Sequence, residues 1–402
     1  MKNYKGDSWW RYFWKKINPR VLNGHPWIYD NEIEREEVNE SENGGMVDIF
    51  HDKKFIGIGY YNSNSIIRVR VITRKKCEIN KEFIKNKIEQ SVKLRDEILG
   101  RDSSYRVIFG KADGFPGLIV DKFAGYLSIQ INTLGIYRLK DMIISTLIEI
   151  FNPAGIFEKD DEKSAEKEGF EPIDGWIYKN GPELIKFDMN GINFLADTKG
   201  QKTGFFLDQR INGMNTVKFS NDKIVLDAFT YTGNFGLHAL KGGAKFVTFM
   251  DYSARALEVM QEAAKLNGYT KDRFEVINGN SFDILRKFDD AGRKFDVTII
   301  DPPSMAKNRS SKENAIKGYK ELNLRAMKIT NEGGYLSTSS CTQLVNEQEF
   351  KDVIIRAAED TKKSLKIVFR GTQPVDHPVL MNVNETEYLK HFFVQVTSLK
   401  NI

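Results

Sequence analysis

Val225-Leu226-Asp227-Ala228-Phe229-Thr230-Tyr231-Thr232-Gly233-Asn234-Phe235-Gly236 is a short apolar run that ends in an acid, followed by a turn carrying glycine and a helical pattern through Leu240. That order, strand then turn then helix, repeats downstream. Lys245 to Met250 reads as a strand, a helix runs through Asn267, Phe274 to Asn278 is a strand, a helix runs through Phe288, and Val297 to Ile300 is a strand. The alternation predicts a parallel sheet with helices on both faces. Ligands of such sheets bind beyond the carboxyl ends of the strands, and Asp227, Asp251, Asn280 and Asp301 fall at or just after those ends.

The glycine turn narrows the ligand. A dinucleotide pyrophosphate needs Gly-x-Gly-x-x-Gly, whose glycines let backbone approach phosphate. Tyr231 stands where the first of them would be. One close glycine with side chains elsewhere suits a nucleoside cofactor without phosphates, which points to S-adenosylmethionine. Asp251, a helical crossover later, occupies the position from which a carboxylate accepts both ribose hydroxyls.

Two further motifs point to the substrate. Asp301-Pro302-Pro303-Ser304 follows the strand Val297-Thr298-Ile299-Ile300, and its prolines fix the backbone and remove N–H donors. The result is a rigid wall for a planar base with a carboxylate at its rim. Cys341 follows Ser337-Thr338-Ser339-Ser340 at a strand end and is a candidate nucleophile. Thiolate attack on carbon 6 of a pyrimidine would make carbon 5 nucleophilic; an unperturbed cysteine has a pKa of roughly 8.5, so the site must favour ionisation.

The remainder of the chain sets the frame. At 402 residues, two or three domains are expected, and 41% hydrophobic with 29% charged residues is ordinary globular usage. Cys77 and Cys341 form no metal-ligand spacing, so neither a disulfide framework nor a zinc site is expected. With no secretory leader and no run near eighteen apolar residues, a reduced, cytoplasmic protein without a membrane partner is expected.

Net charge is +5, and residues 1 to 20 carry Lys2, Lys5, Arg11, Lys15, Lys16 and Arg20 against Asp7 alone. Tyr4, Trp9, Trp10, Tyr12, Phe13 and Trp14 are interleaved with them, a pattern that suits phosphates and stacked bases or, equally, a strand with a solvated basic face. Residues 1–75 read as a small β-barrel, with Gly57 and Gly59 marking a bulge or close backbone approach. Residues 76–190 read as an α+β middle domain: helices from Lys81 to Leu99 and Tyr137 to Phe151, several strands, a hairpin from Leu184 to Ala196, and a Lys159 to Glu168 charge run taken as a solvated loop. Residues 191–402 form the doubly wound domain.

Gly24-His25-Pro26-Trp27-Ile28-Tyr29, Asp113-Gly114-Phe115-Pro116-Gly117-Leu118-Ile119-Val120-Asp121, Gly204-Phe205-Phe206-Leu207-Asp208-Gln209-Arg210 and Phe229-Thr230-Tyr231-Thr232-Gly233 lie in one order along the chain. Asp301-Pro302-Pro303, Tyr319-Lys320-Glu321-Leu322-Asn323, Ser340-Cys341, Asp376-His377-Pro378-Val379 and Glu387-Tyr388-Leu389-Lys390 continue it. Over nearly its whole length the sequence resembles the PUA-domain class I methyltransferases of large-subunit ribosomal RNA, whose characterised members make 5-methylcytosine. The resemblance implies an α/β fold: a Rossmann-like class I methyltransferase domain preceded by a PUA barrel and an α+β middle domain. It implies that Asp208, Gln209 and Arg210 line the cofactor pocket, with Asp227, Phe229, Thr230, Gly233 and Asp251 around S-adenosylmethionine and Asn280 near the adenine. Cys341 would be the covalent nucleophile and Asp301 the partner of the cytosine ring. Three positions depart from the family pattern: Asn280 for a more usual aspartate, Met305 for an aromatic, and Thr342 for a serine.

The expected function is S-adenosylmethionine-dependent formation of 5-methylcytosine in 23S ribosomal RNA. The expected partner is ribosomal RNA or a large-subunit precursor, with a homodimer as one option for the assembly. Methylation of a base nitrogen, with Cys341 structural, is the alternative within enzymes. An RNA-binding ribosome-assembly factor without transferase activity is the alternative outside them.

Overall fold

The computed structural model describes residues 10–13, 19–33, 35–36, 42–52 and 54–401. Most of the basic, aromatic stretch at residues 1 to 20 lies outside the described residues. The chain divides into two compact units: Met1–Ile185 with Ala196–Phe205 and Val375–Thr386, and Lys186–Leu195 with Phe206–Pro374 and Glu387–Ile402.

The first unit holds two sheets. Six strands lie in the order Trp27–Ile28, Val69–Thr73, Lys54–Tyr61, Met46–His51, Trp10–Phe13, Arg35–Glu36. Gly57 and Gly59 are forced by close approach: a Cβ on either would stand 2.6 Å from a carbonyl of the neighbouring strand, and the register shifts at Ile58/Gly59. Five further strands run Asp174–Tyr178, Gly155–Lys159, Tyr126–Ile131, Leu118–Phe123, Tyr105–Phe109. The helices Lys81–Leu99 and Leu134–Phe151 accompany them. The first helix starts where Asn80 Oδ1 accepts from Phe83 N at 3.0 Å, and buries Ile84, Ile88, Ser91 and Arg95 along one stripe.

The Lys159 to Glu168 charge run is not a solvated loop. Asp161 caps a helix from Glu162 to Glu168, Gly169 ends it in the left-handed region, and Ala165 and Glu168 are buried. Glu168 Oε1 meets Arg70 Nη2 at 2.6 Å, and Asn62 Nδ2 donates to Glu168 Oε2 at 2.9 Å. A charged run is solvated by default, but a buried cation ninety-eight residues away reverses that for its last member.

The second unit is built on a seven-stranded sheet: β1 Ile224–Ala228, β2 Phe246–Asp251, β3 Phe274–Asn278, β4 Phe295–Ile300, β5 Thr330–Ser340, β6 Lys363–Gly371 and β7 Lys390–Ser398. Their order is β3-β2-β1-β4-β5-β7-β6, parallel from β3 to β5 and antiparallel at β7 and β6. Helices α1 Asn234–Lys241, α2 Ala254–Leu266, α3 Ser281–Asp290, α4 Lys312–Ile329 and α5 Glu347–Thr361 supply the connections. β1 and β4 are buried on both faces, so their apolar residues run continuously rather than alternating. Val225, Leu226, Val297, Ile299 and Ile300 are at most 1% exposed, each contributing about 1.5–3 kcal/mol of burial. This is the Rossmann-like methyltransferase fold. Among the described residues no helix is long and apolar enough to cross a membrane.

Candidate active site

From β1 the chain winds outward through β2 and β3, then returns to β4 on the other side of β1. The reversal opens a crevice at the carboxyl ends of β1 and β4, where Asp227 pairs with Ile299 and Ala228 with Ile300. Asp227 and Asp301 therefore flank the switch point from adjacent strands.

The glycine turn is organised by the two acids that end β1 and β2. Asp227 Oδ2 accepts from Thr230 Oγ1 at 2.6 Å and from Gly236 N at 2.8 Å. Asp251 Oδ2 accepts from Tyr231 N and its Oδ1 from Ser253 N, both at 2.8 Å. The turn needs unusual backbone: φ is 63° at Phe229, 49° at Tyr231 and 92° at Gly233. Left-handed non-glycine residues cost about 1–3 kcal/mol each and concentrate where a ligand is held. A Cβ at Gly233 would stand 2.7 Å from Met260 Cγ, so glycine is required there for space as well as conformation.

Asp227 is fully buried, yet its Oδ1 has no protein partner. Burial, reinforced by the nearby Asp251 charge, pushes its carboxyl up to about 7. An orphaned acceptor beside a tight turn is a group prepared for a ligand donor.

A second set gathers around Asp301. Gln209 Nε2 donates to Asp301 Oδ1 at 2.8 Å, and Gln209 Oε1 in turn accepts from Asn212 Nδ2 at 2.6 Å. Asp208 Oδ2 accepts from Tyr388 Oη at 2.6 Å. Burial pushes Asp301 up to about 7, with the Asp208 charge adding to it and the Ser339 and Gln209 hydrogen bonds opposing. Part of the Asp301 surface still meets solvent, but the packing around its carboxyl is dense enough for desolvation to dominate.

Cys341 closes this set. Its Sγ lies 3.8 Å from the carbonyl of Pro302, which places the thiol on the Asp-Pro-Pro turn. Lys390 is buried, donates to Thr342 O at 2.7 Å and Tyr388 O at 2.8 Å, and is held down at about 8 by burial, with the Cys341 charge pulling the other way. Tyr319 Oη shares a hydrogen bond with Thr342 Oγ1 at 2.8 Å, and burial raises its phenol to about 12, with Cys341 and Asp301 contributing.

The structure thus gathers Asp227, Phe229, Thr230, Gly233 and Asp251 at one turn, and Asp208, Gln209, Asp301 and Cys341 at the other. Asn280 Oδ1 accepts from Phe282 N at 2.9 Å as the cap of α3, and the Arg210 carbonyl accepts from Asn190 Nδ2 at 3.2 Å. Tyr319, Tyr388 and Lys390 lie in motifs that carry the resemblance and Ser339 in the run before Cys341, but the sequence assigns none of them a role of its own. Register alone brings Lys390 opposite Ser340, one residue from the thiol.

A family model described as S-adenosylmethionine-dependent methyltransferase matches residues 168–392, and one described as a PUA-like domain matches residues 15–74. The chain belongs to the S-adenosylmethionine-dependent methyltransferase family. It is 37% identical over 392 residues to a protein of Vibrio vulnificus named ribosomal RNA large subunit methyltransferase I, covering 96% of this chain and 98% of that one. A namesake in Aliivibrio fischeri is 36% identical over 378 residues, covering 92% and 95%. Among solved structures, a methyltransferase complexed with SAH superposes with a TM-score of 0.83 at 21% identity, covering 96% and 99% of the two chains.

S-adenosylmethionine is the cofactor of this methyltransferase. The residues at the crevice fit it: the buried Asp227 Oδ1, without a protein partner, would accept from a donor-bearing ligand, and the left-handed backbone at Phe229, Tyr231 and Gly233 shapes the turn beside it.

Proposed function

We propose that the protein methylates carbon 5 of a cytosine in large-subunit ribosomal RNA through a covalent bond to Cys341. The substrate class is supported by the names of its full-length relatives and by the PUA-like match at residues 15–74. The observation that carries the chemistry is the thiol of Cys341 on the turn that follows Asp301, within reach of the Lys390 charge.

The target cytosine leaves its stack, since thiol and methyl donor cannot reach carbons 6 and 5 inside a helix; extrusion costs a few kcal/mol. Pro302 and Pro303 present a rigid wall to the base. The Cys341 thiol first gives its proton to solvent; the thiolate Sγ then bonds carbon 6, the carbon 5–carbon 6 double bond opens, and ring N3 takes the proton of Asp301. A carboxyl held at about 7 has that proton to give near neutral pH. S-adenosylmethionine, when bound, supplies the methyl group to the carbon 5 thus activated. The N3 proton returns to Asp301, a base removes the carbon 5 hydrogen, and the thiolate leaves as the double bond re-forms.

In this reading Asp227, Phe229, Thr230, Gly233 and Asp251 hold the cofactor, joined by Asp208, Arg210 and Asn280 at the pocket edge. Residues 1–75 dock RNA, 76–190 form the middle domain and 191–402 carry the chemistry. Mass spectrometry of ribosomal RNA from cells with and without the gene tests the reading. One 5-methylcytosine lost from 23S RNA is expected, whereas loss of an N-methylated base would overturn the thiol chemistry.

A further inference from the structure

Asn212 is fully buried in the short helix Arg210–Thr216, three residues after Gln209. Its Nδ2 donates to Gln209 Oε1 at 2.6 Å and, at a longer 3.4 Å, to the carbonyl of Thr372. Its Oδ1 has no protein partner. On that side stands Gly371, the last residue of β6, where a Cβ would come within 2.0 Å of Asn212 Oδ1. Asn234 Nδ2, at the start of α1, donates to the Gln209 carbonyl at 3.2 Å, so Gln209 is held by main chain and side chain alike. A buried acceptor left unpaired is costly, and its orientation calls for a cause. The two groups that Asn212 Nδ2 meets supply it. A backbone carbonyl can only accept, so Thr372 keeps the Asn212 NH2 on its own side. The same NH2 reaches Gln209, which must answer with its oxygen. That leaves the Gln209 nitrogen for Asp301, where Nε2 donates to Oδ1 at 2.8 Å.

We propose that Asn212 is a positioning residue for Asp301: it locks the Gln209 amide so that a donor, and never an acceptor, faces the carboxyl. Gly371 provides the room for that lock. An ionised carboxylate accepts strongly from the Gln209 N–H. A protonated carboxyl gains less from it and would instead donate to the Gln209 oxygen, which the lock withholds. Asp301 therefore releases its proton more readily than a freely turning glutamine would allow. The other groups facing Asp301 are the carboxylates of Asp208 and Asp227, the phenol of Tyr319 and, on its own turn, the thiol of Cys341 with Lys390 beyond it. This rests on the reading of Asp301 as proton donor to the base, but the lock itself exists in the ligand-free protein.

The test uses the full chain without cofactor or RNA. Aspartate carboxyl carbons are labelled and Asp301 is followed by NMR from pH 5 to 9, with Asp301→Asn for assignment. Asn212→Leu keeps the volume without the amide, and Gly371→Ala pushes the Asn212 side chain aside while leaving it in the chain. Each is expected to move the Asp301 midpoint up by about one pH unit. In a Gln209→Leu background, which has no amide to turn, neither should move the midpoint further. A merely structural disturbance would shift it in both backgrounds alike. Equal shifts in the two backgrounds, or no shift in either single variant, would overturn the proposal. Neutron diffraction from the deuterated wild-type protein below pH 6 reads the lock without any variant: deuterium on the Gln209 atom beside Asp301 is expected, and a bare oxygen there would overturn it. Both readouts are independent of the methylated base, so their failure would leave the Cys341 chemistry standing, and failure of that chemistry would leave them unchanged.

Discussion

Gln209 Nε2 donates to Asp301 Oδ1 at 2.8 Å, joining the segment that precedes β1 and the glycine turn to the carboxyl of the Asp-Pro-Pro turn. The amide favours the ionised carboxylate and so opposes the burial that raises Asp301. Gln209→Leu is therefore expected to raise Asp301 further. Losing a hydrogen bond to a charged group is worth about 1.5–3 kcal/mol, or roughly ten- to a hundredfold in rate. Single-turnover methylation across pH checks both the loss and an alkaline limb moved upward.

Asp227 links the cofactor turn to stability. An unfolded aspartate titrates near 3.9, whereas folded Asp227 is pushed up to about 7, so between those values the folded state binds more protons. Its contribution is fully present below about pH 4 and is lost as pH rises toward 7, because stability falls with pH wherever the folded state holds the extra proton. Asp227→Asn should flatten that fall. Urea midpoints of ligand-free protein and variant, measured between pH 4 and 8, check it.

Lys390 lends its charge to the Cys341 thiol. Lys390→Met is expected to cut the rate of Cys341 alkylation at pH 7 by about tenfold or more, as removal of an opposite charge raises a thiol. Since Lys390 is held near 8, the difference should vanish above pH 9, where the wild-type amine is itself neutral. Iodoacetamide modification followed by peptide mass spectrometry reads this directly.

Glu168→Gln leaves Arg70 charged and buried beside a neutral amide. Breaking such a pair on one side costs about 3–5 kcal/mol. The expected result is a lower denaturant midpoint at pH 7, and replacing both residues with apolar ones should recover part of the loss.

The sequence carried the helix from Lys81 to Leu99 because its apolar stripe begins at a capping asparagine and stops at Gly100. It carried the strand ends of the second unit because parallel, doubly buried strands are continuous apolar runs closed by acids. Pairing over long separations was hidden. Glu168 looked solvated because Arg70 stands ninety-eight residues away, and Lys390, quoted only as the end of a motif, showed no link to the thiol because only the β5–β7 register sets it opposite Ser340. Gln209 was expected at the cofactor, and its own side-chain bond to Asp301 shows only when the strands are assembled. Asn280, read as an adenine contact, also serves as a helix cap, a duty its place before Ser281 makes legible afterwards.

The covalent role of Cys341 is tested most directly by trapping. Ribosomal RNA carrying 5-fluorocytidine cannot lose the carbon 5 substituent as a proton, so the Sγ–carbon 6 bond should persist after methyl transfer. Incubated with S-adenosylmethionine, the protein is expected to form a denaturation-resistant RNA adduct mapped to Cys341 and absent in Cys341→Ala. Full methylation of ordinary RNA by Cys341→Ala, with no adduct on the fluorinated RNA, would contradict the account.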